Sequence, residues 1–128
     1  MKENRLLVVT VVLSVLLVTL HLADDVVYGF ESGGVSYLIA MPVLVVWLYG
    51  GTVLAGRRSG CMIVILGSLL GMAVPFLHMR HNGVSDEIAR SSGGFFFIWT
   101  LIALGVTALF SLILALRGLL SSRRPTAD

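Results

Sequence analysis

Three histidines and two neighbouring aspartates are the residues of this sequence whose types and spacing suit metal or proton chemistry. His21 is followed by Asp24 and Asp25, three and four residues later, and His78 is followed by His81 three residues later. Residues three or four positions apart share one side of a helix, so each group would present its side chains together. Imidazole and carboxylate groups together are ligands for zinc, iron, manganese or copper.

His21 and His78 also fall at similar depths in two apolar segments. A helix from Leu6 to His21 rises ~22 Å, and a helix from Cys61 to His78 rises ~26 Å. Both histidines are therefore predicted to end their helices at one membrane interface, where they could share a transition metal or bind haem b axially. The alternative is that His and Asp only cap helix ends at a wet interface, and the spacings H-x-x-D-D and H-x-x-H do not decide between the two.

Four apolar segments must position these groups, at roughly residues 6–22, 35–54, 61–77 and 94–116. Each has about the 17–25 residues that cross ~30 Å of hydrocarbon as a helix, and none has a charged residue in its interior. A helix also satisfies its own backbone hydrogen bonds in lipid. The sequence therefore predicts one domain over residues 1–128, an all-α, antiparallel four-helix transmembrane bundle.

The composition excludes an ordinary water-soluble domain. Hydrophobic residues make up 57% of the chain and charged residues 12%, with a mean hydropathy of +0.98, so the lipid bilayer is the predicted partner. The net charge of +2 does not indicate nucleic-acid binding, because the basic residues lie at the ends of apolar segments and form no patch. Cys61 is the only cysteine, which excludes an intrachain disulfide and a cysteine-based zinc site.

The placement of lysine and arginine predicts the orientation. Seven of the nine basic residues fall on one side of the predicted bundle: Lys2, Arg5, Arg57, Arg58, Arg117, Arg123 and Arg124. Positive residues are retained in the cytoplasm. Both termini and the turn at residues 56–60 are thus predicted to be cytoplasmic, and the His/Asp cluster is predicted to lie on the extracytoplasmic side.

Small and aromatic residues predict how the helices pack. Gly67 and Gly71 form a G-x-x-x-G pair, which lets two backbones approach closely within the bundle or between protomers. Ser14 belongs to a stripe of hydroxyl groups on the first helix, and a similar stripe lies on the fourth. Packing explains these stripes, and a proton or small-ligand track is the alternative. The aromatic residues, Trp47 and Phe97 among them, are assigned to the belts at the two membrane interfaces.

Three segments of the chain resemble a family of small bacterial four-span membrane proteins: HLADDVVYGFESGG, LVVWLYGG and SSGGFFFIWTLIALGVTALFSLILALRGL. The likeness covers most of the chain. It implies the same topology and a bacterial cytoplasmic (inner) membrane location, and it carries no activity. His21, Asp24 and Asp25 match the first-loop pattern of that family, and His78 resembles a histidine found there, whereas His81 is not assigned to a position in the pattern.

These observations favour three functional hypotheses. The first is a non-enzymatic membrane protein, a homo-oligomer or a subunit of a larger membrane complex, whose His/Asp cluster is a binding or interaction surface. The second is a metal- or haem-dependent membrane enzyme or redox protein that uses His21, Asp24, Asp25 and His78. The third is a small transporter or channel, and the lack of a buried ionisable residue argues against proton-coupled transport.

Overall fold

The structure is a computed structural model that describes residues 2–28, 35–81 and 93–121, with side chains for residues 4–27, 38–77 and 93–121. The described residues form four helices. These are α1 (Lys2–Tyr28), α2 (Val35–Thr52), α3 (Arg58–His81) and α4 (Gly94–Ser121). The predicted all-α four-helix architecture is confirmed.

Three helices, α1, α3 and α4, are longer than the apolar segments that predicted them. The prediction that His21 and His78 end their helices is wrong, because α1 continues to Tyr28 and α3 to His81. Neither glycine nor proline interrupts α1 before Gly29, so nothing in the local sequence stops the helix. The predicted first loop, from about residue 23, therefore begins with more than one turn of helix that carries Asp25.

A tight turn joins α2 to α3. Gly56 adopts a positive φ of 85°, a conformation that side-chain-bearing residues rarely take. The backbone N–H of Arg57 donates to the carbonyl oxygen of Leu54 at 3.0 Å, and the N–H of Cys61 donates to that of Arg57 at 3.0 Å, which opens α3. Short turns of this kind force the two helices to run antiparallel.

The helices form a four-membered ring in chain order. α4 packs on α1 and α3, α2 packs on α3 and α1, and α1 and α3 lie across a diagonal with little direct contact. Contacts between His21 and Phe97, and between Ser14 and Thr107, fix α1 and α4 antiparallel. The centre of the bundle is a dry cluster around Val64 and other fully buried side chains of the same core.

The outward faces of the bundle are apolar. Stretches of α1, α3 and α4 are long and apolar enough to span a bilayer: Asn4–Val27, Arg58–Leu77 and Gly94–Ser121, with the shorter apolar helix Leu38–Thr52 in α2. Large side chains such as Leu16, Val45 and Leu66 are more than half exposed. A small protein with such a large exposed apolar surface would aggregate in water, whereas the same surface is compatible with contact with lipid. The chain is therefore a membrane protein that contacts the bilayer.

The two ends of the bundle differ, and we name them by their residues. The histidine end holds His21, the C-terminal turns of α1 and α3, and the start of α4. The arginine end holds Arg5, Arg57 and Arg117 beside the turn between α2 and α3.

Candidate functional site

A histidine–aspartate pair is buried at the histidine end. His21 is 0% exposed and Asp25 is 2% exposed. Because α1 continues as a helix, Asp25 lies one turn after His21, and its Oδ2 is 3.7 Å from Nε2 of the imidazole. That separation is longer than a direct hydrogen bond of 2.7–3.2 Å. It is short enough for a strong ionic contact when the imidazole carries a proton, since the surroundings are dry.

An aromatic wall closes one side of the imidazole. The ring centroids of His21 and Phe97 are 4.7 Å apart, with the ring planes tilted by 47°, which lies within the range of favourable aromatic contacts. Phe97 is only 4% exposed and packs with Leu101, Val74 and Ile98. The assignment of Phe97 to an interfacial belt is therefore wrong. Its neighbours Phe95 and the other aromatic residues of that run face outward.

Asp24 lies beside this pair rather than within it. Its side chain is half-buried, and among the described residues its Oδ2 atom makes no hydrogen bond. The prediction that both carboxylates point to one side with His21 therefore holds for Asp25, at the i+4 position, and Asp24 lies at the edge.

The other two candidate ligands are the histidines near the C-terminal end of α3. His78 and His81 belong to α3, but their side chains lie outside the described residues. The backbone does bring this part of α3 to the histidine end, because Val74, one turn before His78, packs against the cluster of Phe97. Within the described side chains, no group of three or more His, Cys, Asp or Glu residues is placed to bind a metal ion.

The buried pair changes the argument about transport. The expectation that the chain lacks a buried ionisable residue is wrong, because His21 and Asp25 are both sealed within the bundle. Among the described residues, the only further buried ionisable group is the thiol of Cys61, which lies at the arginine end. A continuous relay of acids and bases through the bundle is therefore not present in the described part of the chain.

Hydroxyl groups line the contact between α1 and α4 below the pair. The Ser14 hydroxyl lies 3.0 Å from Oγ1 of Thr107, which links the two helices, and 2.8 Å from the carbonyl oxygen of Thr10 in its own helix. Thr100 donates to the carbonyl of Phe97 at 2.9 Å within α4. Hydroxyls that bond within their own helix stabilise packing in membranes, so the structure favours the packing interpretation of this stripe.

Gly67 and Gly71 of α3 lie under an indole ring. Trp47 of α2 covers Gly67, and a Cβ atom at Gly71 would come within 2.8 Å of Cη2 of the same ring and 3.3 Å of Cβ of Ala108. Trp47 is 3% exposed, so its assignment to an interfacial belt is wrong. Only a residue without a side chain leaves room for the ring at these positions. The effect of both glycines on stability stays a prediction.

The structure thus brings two of the five candidate ligands into contact, His21 and Asp25, and it adds Phe97 to the site. Phe97, Leu101 and Leu104 share one face of α4 by their spacing of three to four residues, but α4 is apolar on every side, so the sequence carries no signal that this face is the buried one. No protein-family model, no curated protein and no solved structure matches this chain.

Proposed function

We propose that the chain is a bacterial inner-membrane protein with cytoplasmic termini, and that the His21–Asp25 pair is the centre of a binding site at its extracytoplasmic end. Within the bilayer, the protein acts as a binding protein or as the binding subunit of a larger membrane complex. The orientation rests on the basic residues of the arginine end, which match the positive-inside rule. The resemblance to small bacterial four-span proteins supports the same topology.

One observation carries the proposed function: an ionisable pair is buried in a bundle whose described interior otherwise holds apolar side chains, hydroxyl groups and one thiol. Replacing a buried ion pair with apolar side chains of similar volume is often neutral or stabilising, by about 1–4 kcal/mol. The stability of the fold therefore does not explain why a histidine and an aspartate are buried here. Ionisable residues inside membrane helices more often serve a ligand, an ion or a proton.

The geometry favours a small cation as the ligand. Two metal–ligand bonds of about 2.0–2.2 Å allow two donor atoms to lie up to ~4.2 Å apart. Nε2 of His21 and Oδ2 of Asp25, at 3.7 Å, fit that limit and could both bind one transition-metal ion. Further ligands would come from residues such as His78 and His81. Haem b is less well supported, because Nε2 faces a carboxylate of its own helix rather than a flat apolar slot.

A metal-dependent membrane enzyme or redox protein is the second candidate, and the same 3.7 Å separation favours it. A redox role requires a bound metal that changes oxidation state, or a haem. Visible absorption of the purified protein before and after addition of dithionite distinguishes this candidate, because a redox centre changes its spectrum and a zinc site does not.

The ligand proposal is tested by the thermal unfolding temperature of the purified full chain in detergent, with and without added zinc or manganese. We expect the metal to raise the unfolding temperature of the natural protein, since a ligand that binds only the folded state stabilises it. His21→Gln and Asp25→Asn should abolish the rise, whereas Asp24→Asn removes a carboxylate one residue away and should keep it. The proposal would be contradicted if none of zinc, manganese, iron and copper raised the unfolding temperature of the natural protein. It would also be contradicted if the metal still raised the unfolding temperature of both His21→Gln and Asp25→Asn.

The orientation is tested separately by reporter fusions. Fusions after residue 58 and at the C-terminus should report the cytoplasm, and fusions near Asp25 and Asp86 should report the exported side. A cytoplasmic signal from the Asp25 fusion would reverse the orientation and leave the cation site itself untouched.

A further inference from the structure

A pocket opens at the arginine end, far from the His21–Asp25 pair. It has a volume of about 320 Å³ and lies between α1, α3, α4 and the turn that precedes α3. Its lining includes the Asn4 amide, the Ser121 hydroxyl and the Cys61 thiol, together with apolar side chains of α1 and α4. The pocket therefore offers polar groups and an apolar wall at the same place.

Two glycines keep this pocket open. A Cβ atom at Gly118 would lie 3.2 Å from Sγ of Cys61, and a Cβ atom at Gly56 would lie 2.8 Å from Nδ2 of Asn4. Gly56 also has a φ of 85°, which disfavours any side chain at this position. Larger residues at either position would fill the space between the helices.

Three arginines lie next to the pocket lining in the chain. Arg5, Arg57 and Arg117 are exposed, and each is the immediate chain neighbour of a residue that lines the pocket. The acidic side chains among the described residues, Asp24 and Asp25, both lie at the opposite end. Glu3 precedes the pocket in sequence, and its side chain lies outside the described residues.

We propose that this pocket binds the phosphate-bearing headgroup of an anionic phospholipid. At about 30 Å³ per water molecule, 320 Å³ corresponds to roughly ten waters, which is room enough for a phosphoglycerol group. Arginine side chains attract and hydrogen-bond phosphate oxygens. The exposed apolar residues Leu6 and Leu120 lie at the same end, where they can contact acyl chains, which a free phosphate ion would not need. This site is independent of the cation site and of the side of the membrane it faces.

Native mass spectrometry of the purified full chain in detergent, titrated with phosphatidylglycerol or phosphatidylcholine, tests the proposal. The natural protein should bind one phosphatidylglycerol molecule more tightly than phosphatidylcholine. Arg57→Gln combined with Arg117→Gln should weaken phosphatidylglycerol binding about twenty-five-fold, since each arginine contributes roughly a factor of five. The matched variant Arg57→Lys with Arg117→Lys keeps the charge and should keep the preference for phosphatidylglycerol.

A pocket-filling variant separates the pocket from the general surface charge. Ser121→Trp retains every arginine and places a large side chain at an exposed position of the pocket lining, so it should also lose the preference. Circular dichroism checks that each variant is folded. Equal binding of the two lipids, full phosphatidylglycerol binding by Ser121→Trp, or displacement of the lipid by an equal concentration of inorganic phosphate would overturn the proposal.

Discussion

The two ends of this bundle treat charge in opposite ways. At the histidine end, the His21–Asp25 pair is buried, with Phe97 against the imidazole. At the arginine end, the guanidinium groups are exposed and the space between the helices is left open by Gly56 and Gly118.

The difference underlies the kind of ligand that we propose for each end. A buried pair with fixed donor atoms 3.7 Å apart selects by bond length and suits a small ion. Exposed arginines near an open pocket attract by charge and tolerate a larger, variable ligand. In the proposed orientation the same arginines would also keep this end in the cytoplasm, so one set of arginines can serve both purposes.

The largest expected effect contrasts the two kinds of charge directly. His21→Leu leaves the Asp25 carboxylate buried without the imidazole and should lower the free energy of unfolding by about 3–5 kcal/mol. Arg117→Gln changes an exposed side chain at the other end and should change it by less than about 0.5 kcal/mol. Denaturant unfolding in mixed micelles measures both. Equal effects would mean that the two ends do not differ in the way we describe.

The packing of α2 on α3 in the middle of the bundle holds the two ends at a fixed separation. A substitution at Gly71 tests how tight this packing is. Gly71→Ile places a branched side chain against the ring of Trp47 and should destabilise the protein by about 2–3 kcal/mol. Gly105→Ala is the matched control, because a Cβ atom there meets Cγ of Pro75 at an ordinary 3.4 Å. The same unfolding assay applies. An unchanged stability of Gly71→Ile would show that the α2–α3 contact is not tightly packed.

The next largest expected effect is the loss of Phe97, the aromatic wall at the histidine end. Phe97→Ala opens a cavity beside His21 and should cost about 1–3 kcal/mol, less than in a soluble core because lipid lowers the transfer contribution. Phe96→Ala alters a side chain on the lipid-facing surface and should cost little. If both variants have the same unfolding temperature, Phe97 does not form a packed wall for the site.

The smallest expected effect lies between the two ends. Ser14→Ala removes the hydroxyl contact with Thr107 and should cost about 0.6 kcal/mol, the average for hydrogen bonds between membrane helices. A double-mutant cycle with Thr107→Val isolates this interaction. A coupling free energy above about 2 kcal/mol would indicate that the hydroxyl stripe does more than pack.

The sequence predicted the helices better than their ends or faces. Long apolar runs are sufficient to predict four helices, because lipid leaves few other backbone structures. The length of an apolar run reflects the thickness of the hydrocarbon layer and not the full length of the helix. The sequence pattern therefore does not predict that α1 continues past His21 to Tyr28. The buried faces of Trp47 and Phe97 were also missed, because helices that are apolar on every side give no contrast between core and lipid.

The candidate site was predictable in part for a related reason. The i+4 spacing of His21 and Asp25 is enough to place them on one face once the helix continues. Their burial depends on how α4 packs against α1, and no local pattern encodes that contact. The pocket at the arginine end also depends on three helices and a turn meeting, and its glycines are informative only when that arrangement is known.

Isothermal titration calorimetry with zinc most directly tests whether the His21–Asp25 pair binds a ligand rather than stabilising the folded protein. The two proteins compared are the natural chain and the double variant His21→Leu/Asp25→Leu. We predict that the double variant remains folded with a free energy of unfolding equal to or above that of the natural chain, because apolar side chains replace a buried pair. It should also lose the zinc binding that the natural chain shows. Zinc binding of equal affinity in both proteins, or a double variant that no longer folds, would contradict this account.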